Sequence, residues 1–158
     1  MQFQPGDIIF YPTTGEFKHD VFAKLQRWAG EMGDVKGPGF THVGMISTEP
    51  DLIIDMKWPR PSFRFVVDDM RPKLVMRATC PHDFKLRAIY WAYFHINDHY
   101  SFWEMLWGNV GAMKAYKFCS GWVDRAYKEA GFPLTKMTDW IVSPNELASS
   151  KKLVRVLE

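Results

Sequence analysis

Cys119 stands in the run Phe118-Cys119-Ser120-Gly121-Trp122-Val123-Asp124, whose apolar spacing continues through Ala126 and Tyr127 to Gly131 and predicts a helix opening at about the cysteine. A thiol at a helix start feels the positive end of the peptide dipole and N–H groups that no earlier turn satisfies, so its thiolate is stabilised. Thiolate is the nucleophilic form, and this is where a catalytic cysteine would be placed. The competing role is structural, because free cysteine is among the residue types most often buried. His42 stands in Phe40-Thr41-His42-Val43-Gly44-Met45-Ile46, a candidate strand. A rigid strand holds a general base well, although a lone histidine also serves as a hydrogen-bonded structural group. Asp55 ends Asp51-Leu52-Ile53-Ile54-Asp55, and the turn residues Glu49-Pro50-Asp51 join the two runs as a hairpin that brings Asp55 near His42. A carboxylate there would accept the second ring N–H of His42 and fix its tautomer; otherwise it is a solvated acid at a strand end.

Other polar clusters carry less chemistry. His95 and His99 are four apart, a spacing that places two metal ligands on one helix face. Asn97-Asp98 between them reads as a helix end, and no third ligand is spaced to complete a site. Cys80 and His82 flank Pro81 without forming a metal set, and Gly37-Pro38-Gly39 lacks the lysine and following pattern of a phosphate loop. No metal and no cofactor is expected.

The elements that must position these residues follow from period and punctuation. A turn at Gly6-Asp7 feeds a short buried strand, Ile8-Ile9-Phe10-Tyr11. Val21, Phe22, Leu25, Trp28 and Ala29 mark one face of a helix over Phe17 to Met32, followed by a glycine-rich loop over Gly33 to Gly39. Strands are expected at His42 to Ser47, Leu52 to Met56, Phe63 to Val67 and Leu74 to Ala78. Pro81 then suits the first turn of a helix that runs through Phe84, Ala88, Trp91 and Ala92 toward Ile96, and Ser101 to Trp107 is a second short helical piece. After the Cys119 helix, Ser143-Pro144-Asn145-Glu146 carries a capping serine, a proline at the first position and a glutamate three residues past the cap. Leu153 to Leu157 reads as a closing strand. The order gives an α+β fold in a single domain, 1–158, with no internal repeat or dividing linker.

Composition narrows the function classes. In 158 residues, 47% are apolar and 24% charged, the balance of a packed globule. A net charge of +2 gives no support to a nucleic-acid partner bound through bulk charge. No run approaches the length of a membrane span, so no transmembrane segment is expected. The first residues carry neither the basic nor the apolar region of an export signal, which predicts a cytoplasmic protein with Cys80 and Cys119 as free thiols. The chain holds 7 Trp, 6 Tyr and 12 Phe, a surplus that lines apolar grooves as well as cores, with Trp58, Trp103 and Trp107 near the segments named above.

Taken together, the segments resemble the NlpC/P60 superfamily of papain-like cysteine peptidases, in its circularly permuted branch that includes the YiiX-like proteins. The resemblance rests on Pro5-Gly6-Asp7-Ile8-Ile9-Phe10, Thr41-His42-Val43-Gly44-Met45-Ile46, Leu52-Ile53-Ile54-Asp55, Cys119-Ser120 with Trp122-Val123 and Ala126-Tyr127, and Ser143-Pro144-Asn145-Glu146-Leu147-Ala148-Ser149-Ser150. Each piece is short, and the ordered set is what is specific. His42 precedes Cys119, the order of the permuted group, and chain order is immaterial to a triad. The resemblance implies a permuted papain-like fold, with an antiparallel sheet or partial barrel packed against helices. It also implies a Cys119 nucleophile, a His42 base and Asp55 as the orienting residue. The Cys119 backbone N–H would hold the oxyanion, with Tyr11 a candidate additional donor. One departure is that YiiX-like members usually carry Glu followed by Ala where this chain has Asp55-Met56. A second is the long insertion between Phe10 and Thr41, which either shapes substrate access or pads the outside of the fold. The implied activity is that of a cysteine amidase or peptidase, with cell-wall peptides as the substrate class. The alternatives are acyl hydrolysis or transfer on lipids, as in lecithin:retinol acyltransferase-like enzymes, and a binding module that has kept the fold and lost catalysis.

Overall fold

The computed structural model of the chain describes residues 3–12, 39–49, 52–56, 61–65, 74–96, 119–136 and 142–157. The helices expected over Phe17 to Met32 and Ser101 to Trp107 lie outside the described residues, as do Trp58 and His99. Six strands are described: β1 (Ile8–Pro12), β2 (Phe40–Ile46), β3 (Leu52–Met56), β4 (Pro61–Phe65), β5 (Leu74–Ala78) and β6 (Leu153–Leu157). They form one sheet in the order β4-β3-β2-β1-β5-β6, with every neighbouring pair antiparallel. Three helices accompany them: α1 (His82–Phe94), α2 (Cys119–Glu129) and α3 (Pro144–Ala148). The fold is α+β.

The central strands are covered on both faces, which is why β1 reads as an unbroken apolar run with no polar alternation. Ile8 and Phe10 join Val43, Met45 and Ile54 in the main core, against Ala88, Ile89 and Ala92 of α1 and Trp122, Val123, Ala126 and Tyr127 of α2. Ile9, with Tyr11, Ile46, Ile53 and Val75, forms a second cluster on the alternate positions of the same strands. Packing thus fixes the register of β1, because a slip by one residue would exchange the two faces.

Strand ends differ from the sequence expectation where a partner sets them. β4 begins at Pro61 instead of Phe63, because its register on β3 pairs Met56 with Pro61 and Leu52 with Phe65. A proline is tolerated there since β4 is the edge of the described sheet and needs no donor on its outer side. β2 likewise starts earlier, at Phe40. Pro81 caps α1 from an extended conformation instead of occupying its first turn. Gly131 sits just past α2 at φ +92, the left-handed conformation that ends helices at glycine.

The Pro5-Gly6-Asp7 turn is pinned from two sides. Gly6 takes φ +83, and Tyr127 Oη of α2 donates to its carbonyl at 2.5 Å. The buried Asp7 carboxylate accepts from Arg77 Nε at 2.7 Å and Nη2 at 2.8 Å, and from the Gln4 N–H at 2.9 Å. Asp7→Ala is expected to lower stability by about 3 kcal/mol, since it leaves a half-buried guanidinium without its paired anion. Urea denaturation of the two proteins measures this directly. Among the described residues, no helix is long and apolar enough to cross a membrane.

Candidate active site

β2 and β3 pair Gly44 with Asp55, which sets Asp55 two positions along from His42 on the same face of the hairpin. Gly44 stands between them and has no side chain to block the diagonal. A Cβ there would come within 2.8 Å of Ile53 Cγ2 and 4.0 Å of the Asp55 carboxyl carbon. Through this gap His42 Nε2 donates to Asp55 Oδ1, so the short aspartate side chain reaches the imidazole. The neighbouring ladder is also shaped around the histidine. Tyr11 lies opposite His42 and Pro12 opposite Phe40, leaving residue 41 of β2 without a partner in β1. Such a bulge kinks the strand and re-aims the adjacent side chain.

Asp55 is fully buried, and the His42 side chain keeps 15% of its surface. Burial is the largest influence on the imidazole and pushes its pKa down. The Asp55 charge, the Cys119 sulfur and hydrogen bonds to both outweigh it together, and the pKa is raised from 6.5 to about 10. That shift favours the protonated ring, set beside a carboxylate and a sulfur. With Nε2 committed to Asp55, Nδ1 is the ring nitrogen left for the thiol.

Cys119 reaches this point as the first residue of α2, close enough for its sulfur to act on the His42 imidazole. The rest of the first turn is fixed by burial: Ser120 donates from Oγ to Val142 O at 2.5 Å, and Trp122 and Val123 enter the core. Tyr11 completes the cluster, its ring tilted 33° against the His42 ring with centroids 5.6 Å apart. The structure thus gathers all four residues singled out in the sequence. The tyrosine sits beside the base.

The remaining candidates have other duties. His95 closes α1, donating from Nδ1 to Trp91 O at 2.7 Å and stacking on the Trp91 ring with centroids 3.9 Å apart. Cys80 is buried, and that burial pushes its thiol pKa up against the smaller opposing pull of Lys85. Among the described residues, no three His, Cys, Asp or Glu side chains gather as a metal would need. Gly44 and Asn145 also shape the site, and sequence reasoning assigned neither a role there. A glycine inside a strand is the only local hint of the first. The second acts through a contact 105 residues away, for which no local signal exists.

No family model matches this chain, and no curated protein matches it. Among solved structures it is similar to the crystal structure of metalloprotein yiiX from Escherichia coli O157:H7, with a TM-score of 0.66 and 15% sequence identity. The match covers 100% of this chain and 98% of that one. At that identity the likeness is one of fold, and the chain has a YiiX-like fold.

Proposed function

We propose that this protein is a cysteine hydrolase of the permuted papain-like kind, cleaving an amide bond through Cys119, His42 and Asp55. The observation that carries the reading is the placement of His42, hydrogen-bonded to the Asp55 carboxylate and within electrostatic reach of the Cys119 sulfur at the start of α2. An imidazole paired with a buried carboxylate and set beside a thiol suits the thiol-to-imidazole proton transfer from which a cysteine attacks.

The sulfur adds to the substrate carbonyl carbon, and the carbonyl oxygen becomes an oxyanion beside the first N–H groups of α2. The Cys119 N–H is the donor best placed for it, with the Tyr11 hydroxyl as a second candidate. His42 gives its proton to the leaving nitrogen as the carbon–nitrogen bond breaks, and a thioester on Cys119 remains. Water then attacks the thioester while His42 takes its proton. Collapse of the second oxyanion releases the carboxylic acid and restores the pair. Asp55 holds the ring in the tautomer and orientation both steps require. The structural neighbour is titled a metalloprotein. Among the described residues no group of three or more His, Cys, Asp or Glu side chains is arranged to hold a metal ion, and the Cys119, His42 and Asp55 side chains are engaged with one another instead.

Alkylation of the two thiols tests the reading. Cys119 is 6% exposed and Cys80 7%, so access barely separates them and thiolate content decides. Near neutral pH, iodoacetamide should modify Cys119 at least about tenfold faster than Cys80 by mass spectrometry. Equal rates, or a faster Cys80, would remove the support for Cys119 as nucleophile. Peptide amides and acyl-lipid esters, offered as parallel substrates, then separate the amidase from the lipid acyl hydrolase.

A further inference from the structure

One short segment ties together the two elements that carry the reacting pair. At its start, Val142 O accepts from Ser120 Oγ at 2.5 Å, and Ser120 is the neighbour of Cys119. Three residues on, Asn145 Oδ1 accepts the backbone N–H of Phe40 at 2.9 Å, two residues before His42. Both ends are dry. Val142 and Ser120 are buried and Asn145 is 4% exposed, so breaking either bond would strand a polar group away from water.

The span between the two ties is stiff. Ser143 is extended and caps α3 by accepting the Glu146 N–H at 3.2 Å, and Pro144 presets the first helical φ. Pro144 and Leu147 are buried beside it. Phe40 lies just before the bulge, across from Pro12. Asn145 therefore meets a strand N–H at the point where the β1–β2 ladder breaks and the strand would otherwise be loosest.

We propose that Asn145 is a positioning residue, and that the 142–145 bracket sets the separation between the Cys119 sulfur and the His42 ring. The inference rests on the reading of Cys119 and His42 as the reacting pair and assigns what fixes their distance. Asn145 commits its side-chain oxygen to the Phe40 backbone and not to either residue. It acts through the Phe40 backbone, as Ser120 acts through the helix start. Groups misplaced by about 1 Å lose rates of order 100-fold, so a bracket of this kind matters more to reactivity than to folding.

The test compares wild type with Asn145→Leu, Asn145→Asp and His42→Ala. The Cys119 alkylation rate is followed from about pH 5 to about pH 10, with melting curves on the same samples. Wild type should keep an acid limb of reactivity at about pH 6 that depends on His42. Asn145→Leu keeps the branched shape and loses the acceptor, and should lose at least about tenfold in rate near pH 6 while retaining the alkaline plateau. Asn145→Asp keeps Oδ1 and should recover most of that limb. A merely structural role would lower the melting temperature of Asn145→Leu and leave the pH profile of the folded protein in place, which overturns the proposal. A loss in Asn145→Asp as deep as in Asn145→Leu overturns it too. Failure of the reacting-pair reading looks different: the acid limb is missing from wild type or survives in His42→Ala. Should Asn145→Leu not fold, Ser120→Ala cuts the other tie by removing one oxygen and carries the same expectation, and an unchanged profile there is equally fatal.

Discussion

Cys119→Ala and His42→Ala should each reduce acyl-enzyme formation by about 10⁴-fold or more, with the folded structure retained. Without the sulfur no thioester can form. Without the imidazole no group gathers the thiol proton and delivers it to the leaving nitrogen. Cys119→Ala removes one atom, from a side chain that the core surrounds without depending on it for size, so circular dichroism should be unchanged. The two losses should not multiply in the double variant, because residues that act as one unit fail together. The measurement is turnover of a responsive amide or ester, or adduct mass with an acylating probe. Substantial turnover in Cys119→Ala would place the chemistry elsewhere.

Asp55→Asn should lower the His42 pKa and weaken its hold on a proton at pH 7. Burial is the strongest influence on His42 and lowers its pKa, and Asp55 is the foremost group opposing it. With the carboxylate gone, only Cys119 is left to oppose burial, and the His42 pKa falls from about 10. The rate should fall by about 100-fold to 10⁴-fold, since an amide can still orient the ring but cannot stabilise the imidazolium. Asp55→Glu restores the charge with one more methylene in a gap already closed by aspartate. It should keep His42 protonated and lose only about tenfold in rate. Stability follows the same proton. The folded wild-type chain holds it above 6.5, where the unfolded chain releases it, so the pair's contribution is complete below 6.5 and is lost as pH rises through about 10. Asp55→Asn should lose that alkaline decline. Histidine ring signals followed through a pH titration settle the matter: an unshifted His42 in Asp55→Asn would leave a Cys119–His42 dyad and require another orienting group.

What the sequence made legible was local. The Ile8 strand, the hairpin that carries His42 and Asp55, and the α2 helix with its stop at Gly131 all follow from patterns read within a dozen residues. The Ser143 cap behaves the same way, the serine oxygen accepting the Glu146 N–H as its spacing implies. The bounds of β4 were not legible, because β3 sets them through pairing. The bulge at residue 41 was hidden for the same reason, being a property of two strands and not of one. Cys119 and His42 lie far apart in the chain, and only the resemblance of the ordered segments, never periodicity, suggested that they meet. Asp55 was readable as an acid near the histidine across the hairpin, but its reach depends on Gly44, whose missing side chain matters only once the register is known.

The strand order has a consequence for how the protein is made. β2 and β3 are consecutive and joined by a tight connection, so His42 and Asp55 can find each other soon after the hairpin leaves the ribosome. β1, synthesised before them, must wait for β5 to cover its other side, and β5 must wait for β6. The Cys119 helix is translated after five of the six strands, and the Val142–Asn145 segment later still. On the proposed roles, acid and base are thus assembled while the sulfur is yet to be added, and a nascent chain carries no completed reactive pair.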